Sequence, residues 1–190
     1  SIKTIGAEAF VGCTGINSIS LDSAQTIGKQ AFANCSGLTS VTLGSEANRV
    51  ELVGKQAFAK CAALTSVTFT NVKELGEKSF TESGLTSADL SNVEIVGDSA
   101  FYQDSKLTDV TLGKKLTKIA DMAFCKSGLT SVAIPGTASI GMCAFMNCSQ
   151  LTNVIVEEGI TTIPESCFES ASVLESITLP VSLTSIGAYA

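Results

Sequence analysis

Histidine and tryptophan are absent from this 190-residue sequence, and charged residues make up only 16% of it. Without histidine the chain lacks the usual general base and the common Ser-His and Cys-His nucleophile pairs. A zinc site is not expected, since a Cys-x-x-Cys pair is missing as well. The sequence also has no glycine-rich phosphate-binding loop. We therefore expect no enzyme activity, no catalytic residue, no cofactor and no metal site.

Basic residues are scarce too. Lys and Arg number 12 against 18 Asp and Glu, which gives a net charge of −6. The absence of a basic patch or stripe argues against nucleic acid as a partner, and it argues equally against an anionic membrane surface. No apolar run approaches the ~20 residues that span a bilayer, so we do not expect this segment to insert into a membrane.

The sequence does contain a repeat of 22–23 residues, marked by a phenylalanine that usually follows alanine. Successive markers are 22, 26, 22, 21, 23, 21 and 23 residues apart: Phe10, Phe32, Phe58, Phe80, Phe101, Phe124, Phe145 and Phe168. Five residues ahead of each marker lies a branched aliphatic such as Ile27, and five or six residues after it begins a group of the form L-x-x-V-x-L. A fixed period in the low twenties indicates a solenoid of stacked units.

Each repeat has two halves with different signals. Residues 38–43, L-T-S-V-T-L, alternate β-branched and apolar residues at the end of the group, which predicts a short strand. The glycine that follows the aliphatic, as in Gly28, predicts a position that needs positive φ or a close backbone approach. We therefore expect at least one strand per repeat in a continuous parallel β-ladder, with short helical or irregular returns.

Together the two halves resemble the BspA-like branch of leucine-rich repeats, whose unit reads roughly L-x-x-I-x-L-P-x-x-V-x-x-I-G-x-x-A-F-x-x-C. Residues 27–35, I-G-K-Q-A-F-A-N-C, match one half, and residues 132–135 and 177–180 carry the strand-end proline. The resemblance covers essentially the whole chain and implies a solenoid of the leucine-rich-repeat type. Proteins of this family are typically large surface or secreted proteins of anaerobic bacteria and some parasitic protozoa, implicated in adhesion to host proteins or other cells.

The repeats form one array over residues 1–190, with eight units and the start of a ninth. Solenoids need capping units for solubility, and neither end reads as a polar cap, so we expect a fragment of a longer protein without its caps. Three irregularities interrupt the pattern. Residues 45–51 lengthen one loop, the repeats of Phe80 and Phe124 each lack one residue after the phenylalanine, and Pro164 replaces the glycine of Ile-Gly.

Four of the seven cysteines share one position, three residues after the phenylalanine: Cys13, Cys35, Cys61 and Cys148. The odd total, and the exchange with Ser, Asp or Ala in the other repeats, favour a ladder of buried thiols. A bridge between the first two is the alternative. Two N-x-S sequons, at Asn34 and Asn147, matter only if the source is a eukaryote that secretes the chain.

The best candidate for a working surface is the outward side of the L-x-x-V-x-L segments, which we call the strand face. Its second, third and fifth positions are expected to stack into columns of Thr and Ser with an acidic interruption. The candidate protein-binding residues are Thr39, Ser40, Thr42, Thr65, Ser66, Thr68, Thr86, Asp89, Thr108, Asp109, Thr111 and Thr130. Cross-strand Thr pairs favour a sheet by themselves, so a purely structural role is the alternative.

These observations predict a non-catalytic protein-binding or adhesion scaffold of a cell-surface or secreted protein. Its partner would be a host matrix or cell-surface protein, or other copies of the chain. The alternative is a structural protein, inside the cell, that packs against other subunits through its open repeat ends or its strand face. Since the strand face has few aromatic or Arg anchors, binding through this segment alone is expected to be weak or shared among many repeats.

Overall fold

The computed structural model describes residues 2–190 as a stack of chain turns with two short strands in each turn and no helix in that range. The first strand of each turn contains the branched aliphatic: Thr4–Ile5 (β1), Thr26–Ile27 (β3), Val50–Val53 (β5), Val72–Leu75 (β7), Ile95–Val96 (β9), Lys118–Ile119 (β11), Ser139–Ile140 (β13), Thr162–Ile163 (β15) and Ser185–Ile186 (β17). The second strand ends the L-x-x-V-x-L group: Ser18–Leu21 (β2), Ser40–Leu43 (β4), Ser66–Phe69 (β6), Ser87–Leu90 (β8), Asp109–Leu112 (β10), Ser131–Ile134 (β12), Asn153–Val156 (β14) and Ser176–Thr178 (β16). All ladder pairs are parallel, and the solenoid of the leucine-rich-repeat type is confirmed.

The odd-numbered strands form one wall of the stack, which consists of a seven-stranded sheet from β1 to β13 and a separate pair, β15 and β17. The even-numbered strands form the other wall. At each step of the odd-numbered wall, the N–H of the residue after the aliphatic donates to the preceding repeat, as from Gly54 to the Ile27 carbonyl at 2.8 Å. Pro164 occupies that position in β15's repeat and has no N–H to donate. The division of the sheet between β13 and β15 coincides with this missing donor.

The even-numbered strands form three sheets, β2–β4–β6, β8–β10 and β12–β14–β16. The prediction of a continuous ladder is therefore wrong for these strands, and the odd-numbered ladder is also divided once. Both divisions fall directly before the strands of the two repeats that lack a residue after Phe80 and after Phe124. We attribute the divisions to these shortened turns.

The core between the two walls contains a column of phenylalanine rings. Neighbouring rings from Phe10 to Phe168 are stacked nearly parallel, with centroids 5.1–5.6 Å apart. This distance is close to the strand spacing of about 4.8 Å, because each repeat advances by one strand. Most of the branched aliphatics and of the leucines of the even-numbered strands are buried as well, and Ile27 and Leu43 are fully buried.

The returns around the phenylalanines are irregular rather than helical. Two residues in each return have a left-handed backbone, one two places before and one two places after the phenylalanine, such as Gln30 (φ 54°) and Asn34 (φ 60°). Alternate N–H groups of the return donate to the next repeat, as from Phe32 to the Ala57 carbonyl at 2.8 Å. Gly28 does not have positive φ. Its Cβ would lie 2.6 Å from the Gly6 carbonyl carbon, so close backbone approach is the reason for glycine there.

Candidate functional site

The strand face lies along the outward side of β4, β6, β8 and β10 and the start of β12. Ser40 and Thr42 are half-buried, and the other candidate residues are exposed. Alternate residues of the same strands, such as Val41 and Leu43, are buried. The parallel register places Asp109 opposite Ser87, while Asp89 lies opposite Thr111. The candidate residues are therefore neighbours on one side of the sheet.

The threonines directly ahead of the strands use their hydroxyls within the fold. Thr39 Oγ1 donates to the Asn17 carbonyl at 2.9 Å, and Thr108 Oγ1 donates to the Thr86 carbonyl at 3.3 Å. The same bond recurs from Thr65 to Thr39, from Thr130 to Thr108 and from Thr152 to Thr130. Each such bond is worth about 1 kcal/mol to the stacking of repeats, so this column has a structural task.

Most side chains of the third and fifth columns are free for contacts outside the chain. Ser66, Thr68, Asp109 and Thr111 are exposed and make no side-chain hydrogen bond with any of residues 2–190. Asp89 differs from them, since its Oδ1 accepts hydrogen bonds from the Ser91 N–H, at 3.0 Å, and from the Ser91 hydroxyl. Of the two acidic candidates, Asp109 therefore has the uncommitted carboxylate.

A depression of about 400 Å³ opens in the strand face where β6 and β8 separate. The residues that line it are Val67, Thr68, Phe69, Thr70, Asp89 and Asn92. Thr68 and Asp89 are candidate binding residues. The Asn92 amide is fixed by donation to the Thr70 carbonyl at 3.3 Å. We call this depression the strand-face groove. It gives the otherwise flat surface a concave site with a carboxylate held in place at its side.

The sequence analysis missed a buried carboxyl at the centre of the stack. Asp104 is fully buried, and its two oxygens accept hydrogen bonds from the Ser83 N–H at 2.6 Å and the Ser83 hydroxyl at 3.1 Å. Burial raises the pKa of this carboxyl to about 8, although both Ser83 bonds oppose the rise, and the Glu82 carboxylate adds to it. Its place in the cysteine column was the signal that it faces inward.

The cysteines are all free thiols, five buried and two, Cys13 and Cys143, half-buried. In the cysteine column the sulfur donates back to the preceding repeat, as from Cys35 to the Phe10 carbonyl at 3.1 Å. The bridge between Cys13 and Cys35 is therefore not present. Burial raises the pKa of Cys61 to about 12 and that of Cys148 to about 11, which suppresses the reactive thiolate form.

Outside the strand face, the adjacent acidic residues Glu157 and Glu158 lie at the surface. Glu158 accepts hydrogen bonds from the Val181 N–H at 2.8 Å and the Ser182 N–H at 3.3 Å, and these bonds lower the pKa of its carboxyl. Within residues 2–190 no three Cys, Asp or Glu side chains come together in a way that would hold a metal ion. The same range has no helix that is long and apolar enough to cross a membrane.

The insertion at residues 45–51 lies against the odd-numbered strands rather than on the strand face. Its Arg49 forms an ion pair with Glu94, and its Glu51 lies 3.5 Å from the Lys73 ammonium. A local bridge between Ser45 and Asn48 closes the loop on itself. The insertion therefore joins three neighbouring repeats and contributes nothing to the strand-face groove.

Comparison with known proteins agrees with this architecture. The family described as BspA type leucine rich repeat region matches the chain in six copies, over residues 1–104, 46–138 and 94–190. None of the curated proteins compared with the chain matches it.

Solved structures supply further likenesses. A leucine rich cell surface protein from Faecalibacterium prausnitzii A2-165 is 25% identical with a TM-score of 0.74, over 98% of this chain and 61% of that one. A leucine-rich repeat protein from Bacteroides ovatus ATCC 8483 is 23% identical with a TM-score of 0.55, over 100% of this chain and 67% of that one. The T. pallidum leucine rich repeat protein is 20% identical with a TM-score of 0.64, over 97% and 77%. The chain thus spans 61% of the length of the first of these proteins.

Proposed function

Because this chain belongs to the family of BspA type leucine rich repeat regions, we propose that it is a non-catalytic protein-binding scaffold of a cell-surface or secreted protein. Repeat solenoids present extended surfaces that generally bind proteins, and this family is typically non-catalytic. The strand face is the surface that we assign to the partner. More specifically, we propose that the scaffold mediates adhesion to a host matrix or cell-surface protein.

The observation that carries the proposal is the set of exposed side chains that the fold itself does not use. The side chains of Ser66, Thr68, Asp109 and Thr111 make no hydrogen bond among residues 2–190, whereas the adjoining threonine column is engaged with the backbone. The strand-face groove beside them adds a concave site of about 400 Å³. The Faecalibacterium prausnitzii relative carries the name of a cell surface protein, which supports the proposed location.

The experiment compares two charge-matched variants of the full-length protein in binding to a panel of purified matrix proteins. The strand-face variant is Ser66→Arg/Asp109→Arg/Thr111→Arg. The control, Ser36→Arg/Asp98→Arg/Gln150→Arg, makes the same charge change at exposed positions of the returns. We expect the strand-face variant to lose about tenfold or more in affinity by surface plasmon resonance, and the control to bind like the native protein. Native protein that binds no member of the panel, or equal binding by both variants, would count against the proposal.

Assembly with other copies of the chain is a second candidate function. It is favoured by Ile155, an apolar side chain of β14 that is 41% exposed on the strand face. Sedimentation velocity on the full-length protein distinguishes the two. Association that grows with concentration and is lost in Ile155→Arg would favour assembly through the strand face, whereas a monomer at all concentrations would exclude it.

A further inference from the structure

Large apolar side chains are rarely exposed away from the two ends of the stack. Between residues 12 and 172 three are exposed, namely Met122 (42%), Met142 (51%) and Ile155 (41%). Ile155 belongs to β14 on the strand face. The two methionines lie instead on adjacent returns, after β11 and β13. Their proximity and their exposure need an explanation.

Folding does not require apolar residues at these two positions. Met122 stands two places before its phenylalanine, where earlier repeats have Gln30, Gln56 and Lys78. Met142 stands three places before its phenylalanine, where earlier repeats have Lys29, Lys55 and Glu77. Those repeats form the same returns with solvated side chains. Two neighbouring repeats therefore present apolar surface where the earlier repeats present polar side chains, which is typical of an interaction site.

The backbone holds the two methionines side by side. The Met122 N–H donates to the Met142 carbonyl at 2.9 Å, and the Met142 N–H donates to Asp121 Oδ1 at 2.8 Å. Around them is a depression of about 390 Å³, which we call the methionine patch, lined by Asp121, Met122, Met142, Cys143, Glu165 and Ser166. The floor of the depression is thus anchored, while the thioether side chains remain flexible enough to adapt to a partner.

Carboxylates surround the methionine patch. Asp121 and Glu165 form part of its lining, and Glu169 lies near enough to act on the Cys143 thiol. Burial raises the pKa of this thiol, and the charges of Glu169, Asp121 and Glu165 raise it further, as expected where the local potential is negative. The basic residue on the same return, Lys126, has its ammonium over the Tyr102 ring at 5.5 Å from the centroid.

We propose that the methionine patch docks a segment of a partner protein in which an apolar side chain is flanked by lysine or arginine. The apolar side chain would contact Met122 and Met142, and the flanking cations would pair with Asp121 and Glu165. Adaptable methionine surfaces beside acidic groups suit such a segment. The site lies on the returns and does not depend on the strand face.

The test follows the methionine methyl groups by NMR in the whole chain labelled with ¹³C at those methyls. Three signals are expected, from Met122, Met142 and Met146. The probes are short peptides with one leucine, phenylalanine or tryptophan between pairs of lysines. We expect saturable shifts of the Met122 and Met142 signals, larger than those of Met146. Matched peptides with glutamate in place of lysine, or serine in place of the apolar residue, are expected to shift neither signal.

Variants test whether the methionine patch itself binds the peptides. Met122→Gln/Met142→Lys installs the residues that Gln56 and Lys55 provide at the same positions of another repeat, so the return is expected to fold. Because the double variant lacks the two reporter methyls, binding by the variants is measured by fluorescence anisotropy of a dye-labelled peptide. Binding should fall about tenfold or more in the double variant, and it should weaken about threefold and become less salt-dependent in Glu165→Gln. Ile155→Thr, on the strand face, should leave binding unchanged. The proposal is overturned if no peptide shifts the methyl signals, if the glutamate peptides act equally, or if the double variant binds like the native chain.

Discussion

The first three repeats and the next three are built on the same pattern but fill the core column after the phenylalanine differently. The first three have thiols there: Cys13, Cys35 and Cys61. The next three have polar groups: Ser83, Asp104 and Ser127. In the first group β2, β4 and β6 form one sheet, whereas in the second the sheet is divided on both sides of the β8–β10 pair.

This difference shows which parts of the solenoid tolerate irregularity. The phenylalanine column and the odd-numbered wall run through both groups without interruption. In these six repeats, the irregularities of the sheets and the core are confined to the even-numbered wall, which is divided at the two shortened turns, and to the adjoining core column, which contains polar residues. The strand-face groove lies at one of the resulting divisions, so the irregular repeats also supply the concave part of the proposed binding surface. Departures from a regular pattern are expected at functional sites. The four predictions below test whether the two groups of repeats differ in the way that the structure indicates.

The largest expected effect is that Asp104→Asn stabilises the irregular repeats. The folded-state pKa is about 8 and the ordinary value is 3.8. Between these values the folded protein retains a proton that the unfolded chain releases, so stability falls as pH rises from about 4 to about 8 and is then flat. At pH 8 the variant should be more stable by a free energy on the order of 5 kcal/mol, less if water relaxes around the carboxylate. Denaturation in urea, followed by circular dichroism at several pH values, measures the free energy of unfolding of both proteins.

The window from about pH 5.5 to 8.5 isolates this carboxyl. Glu94 and Glu158 have lowered pKa values, so the stability that they contribute is lost only below about pH 4.5. The buried thiols have raised pKa values, so their effect begins only above about pH 9. Asp109→Asn, at an exposed carboxyl, is the control and should change stability by less than about 0.5 kcal/mol. Parallel profiles for the native chain and Asp104→Asn would show that the carboxyl is not buried in solution.

The second prediction concerns what the two groups share. Phe32 and Phe101 are both fully buried between stacked rings, with nearest centroids at 5.1 and 5.2 Å respectively. Phe32→Ala and Phe101→Ala should therefore each cost about 3–5 kcal/mol, by loss of ring contacts and creation of a cavity. Phe10→Ala should cost less, because that ring is 36% exposed. A much smaller cost for Phe101→Ala in urea denaturation would mean that the middle repeats are loosely packed throughout, not only in one column.

Repetition explains how much of this structure was predictable from the sequence. The period, the even-numbered strands, the inward cysteine column and the outward strand face each recur in several copies. The effect of a single-residue deletion on hydrogen bonds between strands cannot be derived from the sequence. The divisions before β8 and β12 were therefore not predicted. The burial of Asp104 could be inferred from its column, but its pKa is set by that burial against the two opposing Ser83 hydrogen bonds, whose geometry the sequence does not show. The hydroxyl bond recurs at one repeat position, as at Thr39 and Thr108, but its absence at Thr86 follows from the division of the sheet and was not predictable from the sequence.

The third prediction compares the same threonine position in the two groups. Thr39 Oγ1 donates to the Asn17 carbonyl at 2.9 Å, whereas Thr86, which follows the division, has no corresponding donor bond within residues 2–190. Thr39→Val should therefore cost about 1 kcal/mol, and Thr86→Val should be nearly neutral. The shapes of the two side chains are similar, so each variant is the other's control in urea denaturation. Equal costs would mean that the hydroxyl column does not contribute to the stacking of repeats.

The smallest effect is local and is expected in amide hydrogen exchange rather than in stability. The Thr65 and Thr108 amides donate to carbonyls of the preceding repeats, both at 3.0 Å, whereas the Thr86 amide has no backbone acceptor within residues 2–190. Thr86 should therefore exchange faster than either of them, by about tenfold or more. NMR of the folded chain resolves the three amides separately, and their shared position in the repeat removes most other differences. If Thr86 is as protected as Thr65, β6 and β8 are joined in solution, and the strand-face groove is closed to a partner.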